Sequence, residues 1–361
     1  MPTFPKTRTH SMERDRIPEL DLLRFIAAVS VVLFHATNWP ADPNLLTRVA
    51  TYGSLGVPLF FMISGFVILM TAQNRSGIEF INSRIARLYP SFWVAVLLSA
   101  LALALLADDP PSLANIAANL TMQPHVFDQP YIDMVYWTLV VEIKFYALTW
   151  LVIVTRQMKR VETLLTLWLA ITAVAVWVKI PHWLDSIVMP MYASLFAGGC
   201  FLYLIRSRGV NARRLVLFAV SVVLSMYWTL QYQHKYTQST SFETQATVVA
   251  IILGMSIVLL FLALRWWSLP RVRLWFWLGC LTYPLYLTHA TPGHNVFYSL
   301  GGSEWTRTWL VLGLVLLVSI VLAAVVERRL CPAFHKWLDR TAQRVLGKRG
   351  LREEQRVPAL R

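Results

Sequence analysis

Charged residues are scarce in this chain. They make up 14% of its 361 residues, whereas a soluble domain carries about 25%. Hydrophobic residues account for 57%. Because so few polar groups cannot cover a water-exposed fold of this size, much of the surface has to face lipid. The composition therefore excludes a soluble globular protein.

Cysteine is also scarce, and the basic residues form no concentrated patch. Cys200, Cys280 and Cys331 show no metal-ligand spacing, so no metal site is expected. The net charge is +14, but the lysines and arginines sit in short clusters between apolar runs, without the interleaved aromatics of a nucleic-acid surface. The 15 tryptophans suit a belt at the membrane interface better than a base-stacking platform. Nucleic acid is excluded as a partner, and membrane lipids are expected.

Ten apolar segments alternate with polar connections. Each is long enough to cross a bilayer, where only a helix satisfies its own backbone hydrogen bonds. The segments cover residues 17–38, 54–73, 88–107, 137–155, 162–178, 187–205, 215–230, 246–264, 274–291 and 308–326. The sequence therefore predicts an all-α, polytopic membrane bundle of about ten transmembrane helices.

The distribution of lysine and arginine predicts the orientation of this bundle. Of the 33 lysines and arginines, 27 lie in the two terminal regions and in the second, fourth, sixth and eighth connections between the segments. Only four lie in the first, third, fifth, seventh and ninth connections. Basic residues concentrate on the cytoplasmic side. Both termini are therefore predicted to be cytoplasmic, in a multi-pass protein of the cell inner membrane.

The same pattern predicts three regions. Residues 1–16 form a basic cytoplasmic arm, residues 17–327 the membrane domain, and residues 328–361 a basic cytoplasmic tail. The first helix is not expected to be a cleaved signal peptide, because it contains ionisable residues and no small-residue cleavage site follows it. The longest outer connection, 108–136, is the best candidate for a lid or an acceptor-binding loop, because long connections are usually functional or disordered.

Ionisable residues inside membrane helices are costly and mark candidate functional sites. In the first helix Arg24 and His35 lie eleven residues apart, which corresponds to about three turns, so they share one face. Asp21, three residues before Arg24, lies on the same face. Asp21 can pair with Arg24. Alternatively, Asp21 and Arg24 reach toward the cytoplasmic interface and His35 lies near the outer headgroups. Three such residues on one stripe favour the functional interpretation.

Two further segments carry ionisable residues near the same predicted depth. Glu142 lies about a turn and a half below the outer end of its helix, near the depth of His35. A structural role, such as accepting a hydrogen bond from Tyr146, is the alternative. His289 lies near the outer end of its helix, five residues after Pro284. Although a lone histidine there is more often interfacial, a layer of His35, Glu142 and His289 is predicted.

Arg84 and Arg87 lie at the predicted cytoplasmic entry to the third helix. They are one turn apart and can jointly face an anion. Ordinary anchoring of a helix end is the alternative, because arginines are common at such positions.

Together these segments resemble the acyltransferase-3 family of integral membrane O-acyltransferases. The resemblance extends from about Glu19 to about Leu338. It is carried by five elements: Arg24 with His35; the stretch from Gly56 through Phe60, Phe61 and Ser64 to Gly65; Arg84 with Arg87; Trp137, Glu142, Phe145 and Tyr146; and Tyr283, Tyr286 and His289.

The resemblance implies acyl-CoA, usually acetyl-CoA, as a co-substrate and no permanently bound cofactor. It makes 17–327 an acyltransferase domain with His35 as its catalytic centre. The commonest acceptors in the family are sugars of cell-surface polysaccharides, so a carbohydrate or glycolipid acceptor is expected.

A working mechanism assigns a role to each candidate residue. His35 acts as the general base, Glu142 orients its imidazole, and Arg24 guides or polarises the donor. Arg84 and Arg87, with Arg24, bind acyl-CoA. Five residues are candidates for lining the tunnel or the acceptor site: Asp21, Asn38, Ser64, Tyr286 and His289.

Three alternatives remain open at this stage. A proton-coupled transporter could use His35, Glu142 and Asp21 as a relay, although no internal repeat of the kind common in transporters is found. The same enzyme class could act on a small hydrophobic acceptor. An acyl-histidine intermediate could replace direct transfer.

Overall fold

The computed structural model of the protein describes residues 16–37, 49–107, 109–237 and 241–355. Most of the predicted N-terminal arm and Asn38, a predicted tunnel residue, lie outside these ranges. Within them the chain forms α-helices joined by turns and short 3-10 segments, and no β-strand. The predicted all-α class is therefore confirmed for the described part of the chain.

Fourteen α-helices are described. They are α1 Pro18–Thr37, α2 Gly56–Ala72, α3 Gly77–Leu106, α4 Leu113–Leu120, α5 Trp137–Val154, α6 Val161–Val174, α7 His182–Val188, α8 Pro190–Arg208, α9 Ala212–Thr237, α10 Phe242–Ala263, α11 Arg273–Thr288, α12 Thr291–Ser299, α13 Glu304–Leu322 and α14 Cys331–Gln355.

In the described part of the chain, seven helical stretches are long and apolar enough to cross a membrane. They are Thr51–Ala72, Gly77–Leu106, Met134–Val154, His182–Arg208, Ala212–Tyr232, Phe242–Ala263 and Glu304–Val345. The chain is therefore a multi-pass membrane protein. Of the other three predicted segments, α1 carries three charged residues in its first two turns, α6 has only 14 residues and α11 only 16. The count of ten spans and the orientation stay predictions.

Helices α2 and α8 form the centre of the bundle. In their most apolar windows 67% and 78% of the residues are buried, against 28–44% in the other five stretches. The two helices cross closely because a glycine of each helix faces the backbone of the other helix. A Cβ atom at Gly65 would lie 2.1 Å from the carbonyl oxygen of Phe196, and one at Gly199 would lie 1.9 Å from that of Met62. Small residues allow such close helix contact in membranes.

Helix α3 begins at Gly77, well before the predicted start at residue 88. The side chain of Ser76 accepts a hydrogen bond from the backbone N–H of Glu79, and the Glu79 carboxylate accepts one from the backbone N–H of Ser76. This capping box starts the helix despite the polar residues that follow. Arg84 and Arg87 therefore lie inside α3, not at its entry.

The connection from 109 to 136 is folded. It contains α4, and Asn119 links its two ends: the side-chain amide donates to the carbonyl of Pro130 and the side-chain oxygen accepts from the N–H of Ile132. The Asp133 carboxylate accepts hydrogen bonds from the backbone N–H groups of Val135 and Thr291, although its burial raises its pKa to about 6. This carboxylate therefore ties the start of α5 to the start of α12.

The C-terminal part of the bundle contains a π-helical segment. Helix α13 continues through a π-helix at Ala323–Leu330 into α14, which packs beside α3. Such π-helical segments are rare and often occur at functional sites. Here the segment places Glu327 against α3.

Candidate active site

Two adjoining cavities run through the bundle. The first, here called the basic chamber, has a volume of about 1610 Å³ with its open mouth included. The second, here called the histidine chamber, has a volume of about 740 Å³.

The two chambers meet at a neck. Four residues line both cavities: Val57, Phe61, Thr138 and Tyr286. The hydroxyl groups of Thr138 and Tyr286 lie 2.8 Å apart and are hydrogen bonded. The ring of Tyr286 also meets that of Phe60 edge to face, with 5.6 Å between centroids. A molecule passing from one chamber to the other has to pass these side chains.

Helix α1 contributes to both chambers. Asp21 and Arg24 line the basic chamber, and His35 lines the histidine chamber. The predicted stripe along α1 therefore faces the interior. The predicted Asp21–Arg24 ion pair is not formed: Asp21 instead lies 4.0 Å from Arg16. Gly279 makes room for the Asp21 carboxylate, since a Cβ atom there would lie 2.6 Å from its Oδ1.

The imidazole of His35 contacts a second histidine. Its Nδ1 lies 3.1 Å from Nε2 of His289 and 2.9 Å from the carbonyl oxygen of Val31. The Nδ1 of His289 lies 2.7 Å from the carbonyl oxygen of Tyr286. His289 is buried, whereas His35 is partly exposed to its chamber. The predicted proximity of these two histidines is therefore present in the structure.

In the described structure Glu142 makes no hydrogen bond to His35, and its role in orienting the imidazole stays a prediction. Its carboxylate accepts hydrogen bonds from Ser64 at 3.0 Å and from Tyr146 at 2.6 Å. Thr138, one turn before Glu142 on α5, lies at the neck, so Glu142 lines only the basic chamber. Spacing along each helix predicts that Glu142 and His35 lie at the same depth in the membrane. It does not show that the neck lies between the two side chains.

The lining of the basic chamber carries more positive than negative charge. Five arginines and two carboxylates line it: Arg16, Arg24, Arg75, Arg84 and Arg87, with Asp21 and Glu142. Guanidinium groups bind phosphate and carboxylate groups through several hydrogen bonds at once. The excess of positive charge inside an apolar bundle therefore favours an anionic ligand.

The two arginines of α3 differ in their partners. Arg87 forms an ion pair with Glu327, whose carboxylate also accepts a hydrogen bond from Ser91. Arg84 lies over the rings of Phe80 and Tyr146, at 5.7 and 5.8 Å from their centroids. Among the described residues Arg84 has no carboxylate within ion-pair distance.

Sequence reasoning missed Thr138 and Glu327. Thr138 lies in an apolar run and gave no signal of its own. Glu327 directly follows the last predicted span, where an acidic residue is indistinguishable from an ordinary interfacial one. Only the packing of the helices shows that Thr138 lines the neck and that Glu327 pairs with Arg87.

Comparisons with known proteins show the family to which the chain belongs. The family model described as "Acyltransferase domain", of the acyltransferase-3 family, matches residues 17–328. The chain is 28% identical over 236 residues to Nodulation protein 10 of Rhizobium leguminosarum bv. viciae, a match that covers 58% of this chain and 59% of that protein. It is 32% identical over 99 residues to Acyltransferase MdmB of Streptomyces mycarofaciens, covering 26% of each.

These matches span about three fifths and one quarter of the two relatives, respectively. No solved structure matches the chain significantly. The family model, by contrast, covers nearly the whole bundle, including every residue that lines the two chambers except Arg16. The chain therefore belongs to the acyltransferase-3 family.

Proposed function

We propose that the protein transfers an acyl group, most simply acetyl, from acyl-CoA to a hydroxyl of a carbohydrate acceptor. The observation that carries this proposal is the pair of adjoining chambers, one rich in arginine and the other containing His35. The phosphates of acyl-CoA suit the basic chamber. Its narrow, uncharged pantetheine arm suits the neck, which would bring the thioester toward His35.

The chemistry needs a base and a leaving group. The acceptor hydroxyl attacks the thioester carbonyl carbon while His35 takes the hydroxyl proton. A new C–O bond forms and the C–S bond breaks. The proton then passes to the departing CoA thiolate, giving an ester and free CoA. No metal or further cofactor is needed for this balance. In the competing route His35 is the nucleophile. Its imidazole attacks the thioester carbonyl carbon, so a C–N bond forms as the C–S bond breaks and CoA leaves. The acceptor hydroxyl then attacks the acyl-imidazole, the C–O bond forms, the C–N bond breaks, and the hydroxyl proton returns to the imidazole.

The lining of the histidine chamber supports the proposed acceptor class. Aromatic side chains that include Trp137, Tyr192 and Tyr232 line it beside His35. Such rings offer a flat apolar face and, at their polar atoms, hydrogen bonds. A sugar ring presents both surfaces, which favours a glycan or a lipid-linked glycan. The remaining lining is apolar, and this feature makes a small hydrophobic alcohol the second candidate acceptor.

His35→Ala in membranes supplied with labelled acetyl-CoA tests the catalytic assignment. The loss of a general base should lower kcat by about 10²- to 10⁴-fold, while acetyl-CoA binding is kept. His335→Ala is the matched control, because His335 lies on α14 beside Asp339 and lines neither chamber. Unchanged labelling of the acceptor in His35→Ala would remove His35 from the chemistry.

Mass spectrometry of surface glycans from cells with and without the gene tests the acceptor. We expect one glycan to be heavier by one acyl group in cells that carry the gene than in cells that lack it. Unaltered glycans, together with acylation of an added hydrophobic alcohol, would favour the second candidate instead.

A further inference from the structure

His35 and His289 form a hydrogen-bonded pair in which the donor and the acceptor can be assigned. His289 Nδ1 faces the Tyr286 carbonyl oxygen at 2.7 Å. A carbonyl oxygen can only accept a hydrogen bond, so Nδ1 of His289 carries the proton. In the neutral ring the other nitrogen, Nε2, then holds a lone pair. That nitrogen is the one that faces His35.

The same argument fixes the proton on His35. Its Nδ1 faces two acceptors, the lone pair of His289 Nε2 at 3.1 Å and the Val31 carbonyl oxygen at 2.9 Å. Nδ1 therefore carries the proton and is shared between them. The nitrogen left with a lone pair is Nε2 of His35, on a ring that lines the histidine chamber.

In the described structure no carboxylate orients the imidazole of His35 by a hydrogen bond. Glu142 bonds Ser64 and Tyr146, and Asp133 bonds the backbone of Val135 and Thr291. His289 stands where an orienting carboxylate stands in a catalytic triad. It is buried in the bundle, and its own partner, a backbone carbonyl, holds its orientation.

We propose that His289 is the positioning residue of the transfer reaction, holding His35 so that Nε2 is the base. This inference rests on the proposed function, in which His35 takes the acceptor proton. When Nε2 takes that proton, His35 becomes positively charged, and its Nδ1–H donates a charge-assisted hydrogen bond to His289. Such bonds are roughly twice as strong as neutral ones. The proton returns from Nε2 to the CoA thiolate, and His289 keeps its own proton throughout.

Substitution of His289 separates this role from simple packing. His289→Gln keeps a side-chain oxygen that can accept from His35. His289→Leu has a similar volume and no acceptor. Loss of a hydrogen bond to a charged group corresponds to about a 10- to 100-fold lower rate. We expect that fall in kcat for His289→Leu with a nearly unchanged KM for acetyl-CoA, and a clearly smaller fall for His289→Gln.

The double variant His35→Ala/His289→Leu gives a second readout. Because His289 acts through His35, the double variant should be no slower than His35→Ala alone. Additive losses would show that His289 supports the fold or the acceptor instead, and would overturn the proposal. Equal losses in His289→Leu and His289→Gln, or a wild-type kcat in His289→Leu, would overturn it as well.

The controls distinguish this inference from the proposed function beneath it. Acetyl-CoA binding to each purified variant reports an intact fold. His289→Met replaces His289→Leu if the latter does not bind acetyl-CoA, and it is expected to show the same loss of kcat. An active His35→Ala would sink the proposed function itself. An inactive His35→Ala beside a fully active His289→Leu would sink only the role of His289.

Discussion

Arg87 and Glu327 form an ion pair across 240 residues of sequence, joining α3 to the π-helical segment after α13. The Glu327 side chain is 5% exposed and that of Arg87 39% exposed. Arg84, three residues earlier on α3, lacks such a partner among the described residues. The two arginines that the sequence treats as equivalent therefore differ: Arg84 is available for an anionic ligand, whereas Arg87 is partly neutralised.

Arg84→Gln should raise the KM for acetyl-CoA more than Arg87→Gln does. A hydrogen bond to a charged group contributes about 1.5–3 kcal/mol, which corresponds to about a 10- to 100-fold increase in KM. The measurement is steady-state transfer with purified protein at varied acetyl-CoA concentration. Arg214→Gln is the control, since Arg214 pairs with Glu162 and lines neither chamber. A larger KM effect in Arg87→Gln would reverse the assignment.

Glu327→Gln should lower the thermal stability of the protein. The substitution leaves Arg87 without its anionic partner, and breaking a buried pair costs about 3–5 kcal/mol; because Arg87 is partly solvated, a smaller loss is expected. The double variant Arg87→Gln/Glu327→Gln should recover part of the loss, because no unpaired charge remains. Thermal unfolding in detergent measures each Tm. Purely additive losses would mean that the two side chains do not stabilise each other.

The neck can be tested by filling it. Val57 lines both chambers on α2, and Val57→Trp should keep acetyl-CoA binding in the basic chamber while blocking the path of its acyl arm. Misplacing the reacting group by about 1 Å can cost about 100-fold in rate, so at least that loss of transfer is expected. Val57→Ala, which widens the neck, should remain active. Normal transfer by a folded Val57→Trp variant would show that the acyl group takes another route.

The sequence predicted most of the helices and the interior stripe of α1 because both depend on local spacing. Asp21, Arg24 and His35 repeat at helical intervals, so their shared face follows from one helix alone. Packing between distant helices could not be predicted in this way. Glu142 meets Ser64 from 78 residues away, and no local pattern shows that Thr138 and Tyr286 lie between Glu142 and His35.

Helix ends were predicted less well for a related reason. Hydropathy predicts a connection from 74 to 87 because the stretch is polar, although Ser76 and Glu79 cap a helix that packs against α5 and α14. The shortness of α6 and the end of α11 at Thr288 were also not evident from hydropathy. Hydropathy reports how apolar a segment is, whereas caps and packing decide where the helix begins and ends.

The crossing of α2 and α8 predicts a strong difference between two glycine substitutions. A Cβ atom at Gly199 would lie 1.9 Å from the Met62 carbonyl oxygen, whereas one at Gly254 on α10 would have nothing within 4 Å. Gly199→Ala has to push α2 away, and such overpacking costs about 1–3 kcal/mol or more. Gly254→Ala should be neutral or slightly stabilising, since alanine favours a helix by about 1 kcal/mol. Because α2 carries Val57, which lines both chambers, Gly199→Ala should lower transfer activity together with Tm. Equal melting temperatures for the two variants would show that the close crossing of α2 and α8 does not hold the chambers in place.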